Sequence, residues 1–260
     1  MAGGTTTSGD GTRIAYERRG DGPPLVLVSG ALSTAAGEAP LAELLAPHFT
    51  TYTYDRRGRG RSGDSGRYAV GREIEDLAAV IGTTADGAAA VHGTSCGGAL
   101  ALEAAAAGLP ITGLSVYEPP YGTDPAGRGA FAERAGRLAR LLADGRRGDA
   151  LALFLSETPP AELAGLRASP RWAALEAVAH TLPYDHAVLG TGLVPAARLA
   201  AVTTRVLVVD GGASPRWLRD SARAVARALP HARHSSLTGQ THTVAPQALA
   251  PSLTAFFRNG

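Results

Sequence analysis

A serine framed by two glycines carries the strongest chemical signal in the sequence. The segment 88–103 reads as a short apolar strand, then Gly93-Thr94-Ser95-Cys96-Gly97, then an alanine-rich helix. This G-x-S-x-G pattern between a strand and a helix is typical of a turn so tight that the serine backbone is strained and its hydroxyl projects from the sheet edge. The dipole of the following helix favours negative charge there. We therefore predict that Ser95 is a catalytic nucleophile.

Cys96 is the alternative nucleophile. If the pattern is framed on Cys96, Thr94 falls where a glycine is needed, so the spacing favours Ser95. The residue after such a nucleophile donates its backbone N–H to an oxyanion hole, the group of donors that stabilises the negatively charged oxygen of the reaction intermediate. We expect this role for the Cys96 backbone and expect its thiol to pack against the sheet.

A serine nucleophile needs a general base. His242 is the candidate because it lies in a glycine-containing loop between the last predicted strand and the final helix. The other histidines fit less well: His231 and His234 flank the start of the last strand, whereas His180 and His186 lie in a helical region.

Short apolar runs alternate with longer helical patterns over most of the chain. Several runs are apolar on both faces, which is expected of central parallel strands covered by helices on both sides. The predicted strands are 13–17, 25–29, 50–54, 88–92, 113–117, 205–209 and 233–237. The predicted helices between them are 41–45, 70–81, 98–107, 218–229 and 246–257. This alternation predicts an α/β fold with a doubly wound, mostly parallel sheet.

The alternation is interrupted once. Between Glu118 and Arg205 the sequence offers amphipathic helical stretches near 131–144, 149–156, 160–167 and 170–180 instead of strands. We predict an inserted helical cap over 119–202, with residues 1–118 and 203–260 forming the core domain.

Four segments together resemble the successive landmarks of the α/β-hydrolase fold superfamily. They are Asp10–Tyr16, Asp55–Ser62, Gly93–Gly97 and Gly239–His242, and the resemblance covers nearly all of the chain outside the cap. It implies a sheet of about eight strands and a triad in the chain order serine, acid, histidine. Ser95 and His242 fit the first and last positions.

The acid departs from the usual family pattern. The family usually places an aspartate in the loop after the strand that follows the cap, but Ser214 occupies that position here. Some members, such as a subgroup of haloalkane dehalogenases, place the acid after the strand that follows the nucleophile. That strand ends here at Glu118, which we assign as the acid that orients His242. Asp210 is the alternative acid.

The resemblance also locates the second oxyanion donor. In the family it follows the strand containing Leu25–Val28, where this chain reads Ser29-Gly30-Ala31-Leu32. We expect the backbone N–H of Ala31 to donate, with Leu32 as the alternative.

Other functional classes find little support. Gly58-Arg-Gly-Arg-Ser-Gly63 matches G-x-G-x-x-G, but no helix starts within it, so we expect no dinucleotide cofactor. The surrounding arginines lack interleaved aromatic residues and the net charge is only +2, which argues against a nucleic-acid partner. These arginines are expected to bridge loops to carboxylates instead. His231 and His234 have too few companions for a zinc site, so we predict no metal.

Composition adds bounds on the environment of the protein. The chain has 260 residues, 45% of them hydrophobic, and a single cysteine, so no intrachain disulfide can form. It contains no lysine, which excludes Schiff-base and Ser-Lys chemistry. With no signal-like or membrane-spanning segment, a cytoplasmic enzyme without a membrane partner is the simplest interpretation.

These features predict a serine hydrolase that cleaves a largely apolar ester, lactone or thioester, a small-molecule substrate, through an acyl-serine. Two alternatives remain open: a lyase, cyclase or C–C-bond-cleaving enzyme on the same fold, and a non-catalytic small-molecule binder. We expect large side chains from three segments to line the substrate pocket. The segments are residues 29–32, which we call the oxyanion loop, the cap, and the loop after the strand that follows the cap. The side chains are Leu32, Phe154, Trp172, Tyr184 and Trp217.

Overall fold

A computed structural model describes residues 2–258 and contains one eight-stranded sheet. The strands are β1 (Ala2–Thr7), β2 (Arg13–Arg19), β3 (Pro24–Val28), β4 (Thr50–Tyr54), β5 (Ala89–Thr94), β6 (Ile111–Tyr117), β7 (Val206–Gly211) and β8 (Ala232–Leu237). Their order across the sheet is β1-β2-β4-β3-β5-β6-β7-β8. The β1–β2 and β2–β4 pairs are antiparallel, and the five remaining pairs are parallel. The predicted fold class is confirmed.

Eleven α-helices surround or extend the sheet within the described residues. They are α1 (Ala35–Leu45), α2 (Val70–Ile81), α3 (Cys96–Ala106), α4 (Arg128–Ala143), α5 (Arg147–Phe154), α6 (Pro160–Arg167), α7 (Pro170–Val178), α8 (Leu182–Leu189), α9 (Ala196–Leu199), α10 (Arg216–Ala228) and α11 (Pro246–Arg258). Six of them, α4 to α9, lie between β6 and β7 in the chain, and residues 119–202 contain no strand. This is the segment in which the sequence predicts a cap.

The core is divided by the sheet into two layers. Successive residues of β3 point to opposite faces, so Val26 joins one apolar cluster and Leu27 the other. Helices α2, α3 and α10 cover the first face, whereas α1 and α11 cover the second. A third, smaller cluster lies among the helices after β6 and includes Leu138 and Leu182. The large two-layer core fixes the strand ends that carry the site.

The sequence does not predict strand β1, helix α8 or the four-residue helix α9. Strand β1 was not predicted, because Ala2–Thr7 has no apolar alternation; it pairs only with β2 and lies at the edge of the sheet. Helix α8 was also missed, because a 3₁₀ turn over Ala179–Thr181 separates it from α7 and a proline stands in its first turn. No helix within residues 2–258 is both long and apolar enough to cross a membrane.

Burial of His92 predicts a pH dependence of stability. His92 lies on β5 between Leu27 of β3 and Ser115 of β6, and it is fully buried. Burial lowers the pKa of the imidazole to about 3, whereas an unfolded histidine has a pKa of about 6.5. Below about pH 6.5 the imidazole of the unfolded chain binds a proton, whereas the buried imidazole of the folded chain stays neutral. The free energy of unfolding should therefore fall by about 1 kcal/mol per pH unit from this group between roughly pH 6 and pH 4.

Urea unfolding of wild type and His92→Gln across this range measures the effect. The variant should show the shallower pH slope, while His231→Gln, at an exposed position, should keep the wild-type slope. Equal slopes for wild type and His92→Gln would contradict the assignment.

Candidate active site

Ser95 occupies a strained turn between β5 and α3. Its backbone has φ 54° and ψ −124°, a conformation that costs a non-glycine residue energy. The flanking glycines are required by space: a Cβ on Gly93 would lie 2.5 Å from the Gly97 carbonyl oxygen, and one on Gly97 would lie 2.3 Å from the Val28 carbonyl oxygen. The turn therefore lies in close contact with the neighbouring strand β3 and places the serine at the carboxyl edge of the sheet.

His242 reaches Ser95 from the loop after β8. Its Nε2 lies 3.2 Å from the Ser95 Oγ, although the two residues are 147 positions apart. The Tyr117 hydroxyl at the end of β6 donates a hydrogen bond of 2.6 Å to the Thr241 carbonyl and so holds this loop. Sequence reasoning did not identify this contact.

Glu118 lies on the other side of the imidazole. Nδ1 of His242 donates to Oε2 of Glu118 at 2.7 Å, and the carboxylate is fully buried. The second oxygen, Oε1, accepts the Gly211 backbone N–H at 2.8 Å. The positive φ of 46° at Glu118 turns the chain out of β6. The structure thus brings together the three residues that the sequence predicts as a triad.

Asp210, the alternative acid, does not contact His242. Its Oδ2 accepts from His234 Nε2 at 2.7 Å and its Oδ1 accepts from the Ser236 hydroxyl at 2.5 Å. Asp210 points toward β8, where both partners lie, so its carboxylate is already engaged. Glu118, and not Asp210, is therefore the carboxylate positioned on His242 in this structure.

The two predicted oxyanion donors lie on either side of Ser95. Cys96 is the first residue of α3, and N–H groups in the first turn of a helix have no partner within the helix. On the other side, a Cβ built on Gly30 would lie 3.2 Å from the Ser95 Cβ, so the loop containing Ala31 passes directly beside the nucleophile. Leu32 in this loop has φ 58°.

The Cys96 thiol is buried in the core cluster beside α3. Burial raises its pKa to about 12, so the reactive thiolate is scarce at neutral pH. This environment is unlike that of a nucleophilic cysteine.

The predicted pocket residues divide into two groups. Leu32 and Phe154 both pack on the apolar cluster among the helices after β6, next to the oxyanion loop. Trp172 instead lies under the Arg167 guanidinium, and Tyr184 stacks on Tyr68 with ring centroids 4.0 Å apart.

Tyr184 has one further contact, and Trp217 lies at the surface. The Tyr184 hydroxyl donates to Asp64 at 2.8 Å, and Trp217 is 44% exposed. These contacts do not connect Trp172, Tyr184 or Trp217 to Ser95, and a substrate-pocket role for the three stays a prediction.

The glycine-rich segment 58–63 builds a turn around a carboxylate. A Cβ on Gly60 would lie 2.3 Å from Asp55 Oδ2, which accepts the Arg61 backbone N–H at 2.8 Å. Arg57, directly before this segment, pairs with Asp76 and Asp10 at 2.7 and 3.0 Å, as expected of arginines that bridge to carboxylates. Within residues 2–258, no cluster of three or more His, Cys, Asp or Glu side chains is arranged to hold a metal ion.

Comparison with known proteins identifies the family. A family model described as the alpha/beta hydrolase family matches residues 25–250. The chain is also 56% identical to an alpha/beta hydrolase from Sphaerobacter thermophilus, over 98% of this chain and 100% of that one, with a TM-score of 0.89. This protein belongs to the alpha/beta hydrolase family, as its landmark segments predict.

More distant solved structures share the fold. A thermophilic esterase from Thermogutta terrifontis is 19% identical, with a TM-score of 0.73 over 99% of this chain and 98% of that one. A 2-hydroxy-6-oxo-6-phenylhexa-2,4-dienoate hydrolase from a Rhodococcus strain is 21% identical, with a TM-score of 0.70 over 99% and 100%. At these identities the likeness is one of fold.

The burial of Cys96 leads to a test of its reactivity. Iodoacetamide at pH 8 should leave the native protein unmodified, because the thiol is inaccessible and its pKa is far above that pH. The same reagent should alkylate the chain in concentrated urea, and intact-mass spectrometry measures both reactions. Modification of native protein as fast as of unfolded protein would contradict the buried position.

Proposed function

We propose that this protein is a serine hydrolase that cleaves a largely apolar carboxylic ester, lactone or thioester through an acyl-serine intermediate. The observation that carries the proposal is the continuous hydrogen-bonded path from Ser95 Oγ through His242 to Glu118, with distances of 3.2 and 2.7 Å. Family membership and the esterase among its structural neighbours agree with this reaction class.

The first half of the reaction forms the acyl-enzyme. His242 Nε2 accepts the Ser95 hydroxyl proton while Oγ attacks the substrate carbonyl carbon. The tetrahedral intermediate collapses as the bond to the leaving oxygen or sulfur breaks, and the imidazolium returns the proton to that leaving atom. In the second half, His242 activates water, which releases the acid and restores Ser95.

Glu118 supports both halves without taking a proton. Its carboxylate accepts from Nδ1, which keeps Nε2 free to act as the base and stabilises the imidazolium that forms. The Gly211 N–H fixes the carboxylate from the far side. A buried carboxylate with both oxygens engaged needs little reorganisation when the imidazolium appears.

Backbone N–H groups stabilise the negative oxygen of the intermediate. The Ala31 and Cys96 amides flank Ser95, and each such donor contributes about 3–4 kcal/mol to transition-state stabilisation in serine hydrolases. The first turn of α3 adds the positive end of its dipole at the same point.

The proposed substrate class rests on the apolar side chains near the oxyanion loop. Leu32 joins Leu141, Leu142, Leu153 and Phe154 on the cluster formed by Leu138, Ala150, Ala179 and Leu182. Such a surface favours an apolar acyl or alcohol group.

The nucleophile can be tested by covalent labelling. A fluorophosphonate should modify the native protein once, at Ser95, because that hydroxyl faces the His242 imidazole and lies beside the proposed oxyanion donors, and Ser95→Ala should abolish the reaction. Peptide mass spectrometry locates the adduct, and heat-denatured protein serves as the negative control. An activated aryl ester should give a burst of released phenol, followed by acid that contains oxygen from solvent water. Absence of labelling in folded wild type, or turnover without incorporation of water oxygen, would refute the hydrolytic proposal.

The acid can be tested by comparing two isosteric variants. Glu118→Gln should lower kcat by about 10³–10⁴-fold, because an amide facing Nδ1 destabilises the imidazolium and permits the wrong tautomer. Asp210→Asn, whose carboxylate faces β8, should stay within about threefold of wild type. Steady-state ester hydrolysis measures both, with circular dichroism to verify folding. A larger loss for Asp210→Asn than for Glu118→Gln would reverse the assignment.

A further inference from the structure

Arg59 is a buried cation that touches the oxyanion loop. Its Nη1 donates to the Gly30 carbonyl at 2.6 Å and lies 3.4 Å from the Ser33 carbonyl. The other donors of the guanidinium bind residues of the segment between β6 and β7: Nε donates to Thr181 Oγ1 at 3.0 Å and Nη2 to Asp185 Oδ2 at 2.8 Å. The side chain is only 1% exposed, so its contacts are with the protein.

The bond to Gly30 sets the direction of the next N–H group. The Gly30 carbonyl and the Ala31 N–H belong to one planar trans peptide, in which the C=O and the N–H point in opposite directions. A donor that fixes the oxygen on one side therefore fixes the N–H on the other. A hydrogen bond accepted by the carbonyl also polarises the peptide and strengthens its N–H as a donor.

We propose that Arg59 is a positioning residue for the oxyanion hole, orienting the Ala31 N–H through its hydrogen bond to the Gly30 carbonyl. This inference rests on the proposed function, in which the Ala31 N–H stabilises the intermediate. Gly30 lies against Ser95 on one side and against Arg59 on the other. The guanidinium therefore acts on the reaction through one peptide group and does not touch the substrate.

Asp185 holds Arg59 in this orientation from α8. It is shared with Arg56, whose Nη1 donates to Asp185 Oδ1 at 2.7 Å and whose Nε and Nη2 bind Glu73 at 2.6 and 2.8 Å. Burial alone would raise the pKa of Asp185, but the guanidinium groups of Arg59 and Arg56 hold it below its ordinary value. Two cations and two carboxylates thus form a neutral buried cluster, with Arg56 also 3.4 Å from the Ser29 carbonyl.

A neighbouring arginine outside this cluster supplies a matched control. Arg57 is equally buried, lies on the same loop and pairs with two carboxylates, Asp76 and Asp10. Among the hydrogen bonds described for residues 2–258, none connects Arg57 to residues 29–33. Loss of Arg57 therefore removes a buried arginine without releasing the oxyanion loop, whereas loss of Arg59 releases the loop and leaves Asp185 paired with Arg56.

The test compares Arg59→Gln, Arg59→Lys and Arg57→Gln on an activated aryl ester. We expect kcat to fall by about 10–100-fold in Arg59→Gln, with KM within about threefold, because the donor is needed most in the transition state. Lys should rescue only part of the loss, since an ammonium group cannot reach Gly30, Thr181 and Asp185 in the same planar arrangement. Arg57→Gln should keep kcat within about threefold.

A second readout isolates the oxyanion hole from general damage to the fold. A trifluoromethyl ketone forms a tetrahedral oxyanion on Ser95, whereas the matching methyl ketone binds mostly as the ground state. Arg59→Gln should weaken the binding of the trifluoromethyl ketone by a factor similar to its loss in kcat and should leave the affinity for the methyl ketone unchanged. The pH profile of kcat/KM should keep its shape, because the Ser95–His242–Glu118 contacts are untouched.

The outcomes separate this inference from the proposed function. Failure of wild type to label with fluorophosphonate would refute the hydrolase itself. Three results, each with a wild type that is labelled and active, would overturn the role of Arg59 alone. Arg59→Gln could keep the wild-type kcat, or it could lose affinity equally for both ketones. Alternatively, Arg57→Gln could lose as much kcat as Arg59→Gln does. If Arg59→Gln does not fold, Thr181→Val removes the Nε acceptor, together with the hydroxyl's own bond to the Val178 carbonyl, and leaves the other Arg59 contacts in place. It should lower kcat by about 2–5-fold; an unchanged kcat in that variant would then overturn the inference.

Discussion

Backbone strain at three neighbouring strand ends is the constraint on which the site depends. Leu32, Ser95 and Glu118 are the non-glycine residues with positive φ among the described residues, and they follow β3, β5 and β6. These three strands are adjacent in the sheet. Each residue carries one part of the proposed chemistry: the oxyanion loop, the nucleophile and the acid. Strained conformations cost about 1–3 kcal/mol each and persist only where the surroundings enforce them, which the two-layer core does here.

The position of the acid on β6 follows from the same edge. Glu118 turns out of β6 and accepts the N–H of Gly211 at the end of β7, so its carboxylate lies across the neighbouring strand and under His242. A carboxylate that extended from the end of β7 toward His242 would occupy the same position. Asp210 is instead turned toward β8, where His234 and Ser236 satisfy it. Two carboxylates beside one imidazole would repel each other, and the separation of their partners avoids this.

Local patterns predicted much of the fold but not the contacts that complete the site. The bounds of α2 and α6 match the periodicity of the sequence. Ser95 could be placed because it follows a strand with a clear apolar pattern, His242 because it lies in a glycine-containing loop before the final helix, and Glu118 through the resemblance to the family. Strand β1 lacked a clear apolar pattern. The partner of Arg59, Asp185, lies 126 residues away on a helix that begins with Leu-Pro. Predicting that arginines bind carboxylates needs only their chemistry, whereas choosing the carboxylate needs the three-dimensional arrangement.

The buried arginine cluster is better explained by geometry than by stability. Removing two guanidinium groups and two carboxylates from water costs several kcal/mol per ion, and their mutual attraction roughly offsets this, so apolar side chains would stabilise the same volume at least as well. What apolar side chains cannot supply is directional hydrogen bonding to main-chain carbonyls. Arg56 and Arg59 direct theirs to Ser29 and Gly30, the residues that connect β3 to the oxyanion loop. Helix α8, which supplies Asp185, buries four of its residues, whereas α6 buries none. Within the segment between β6 and β7, the helix that supplies the partner of Arg59 is therefore more deeply buried than α6.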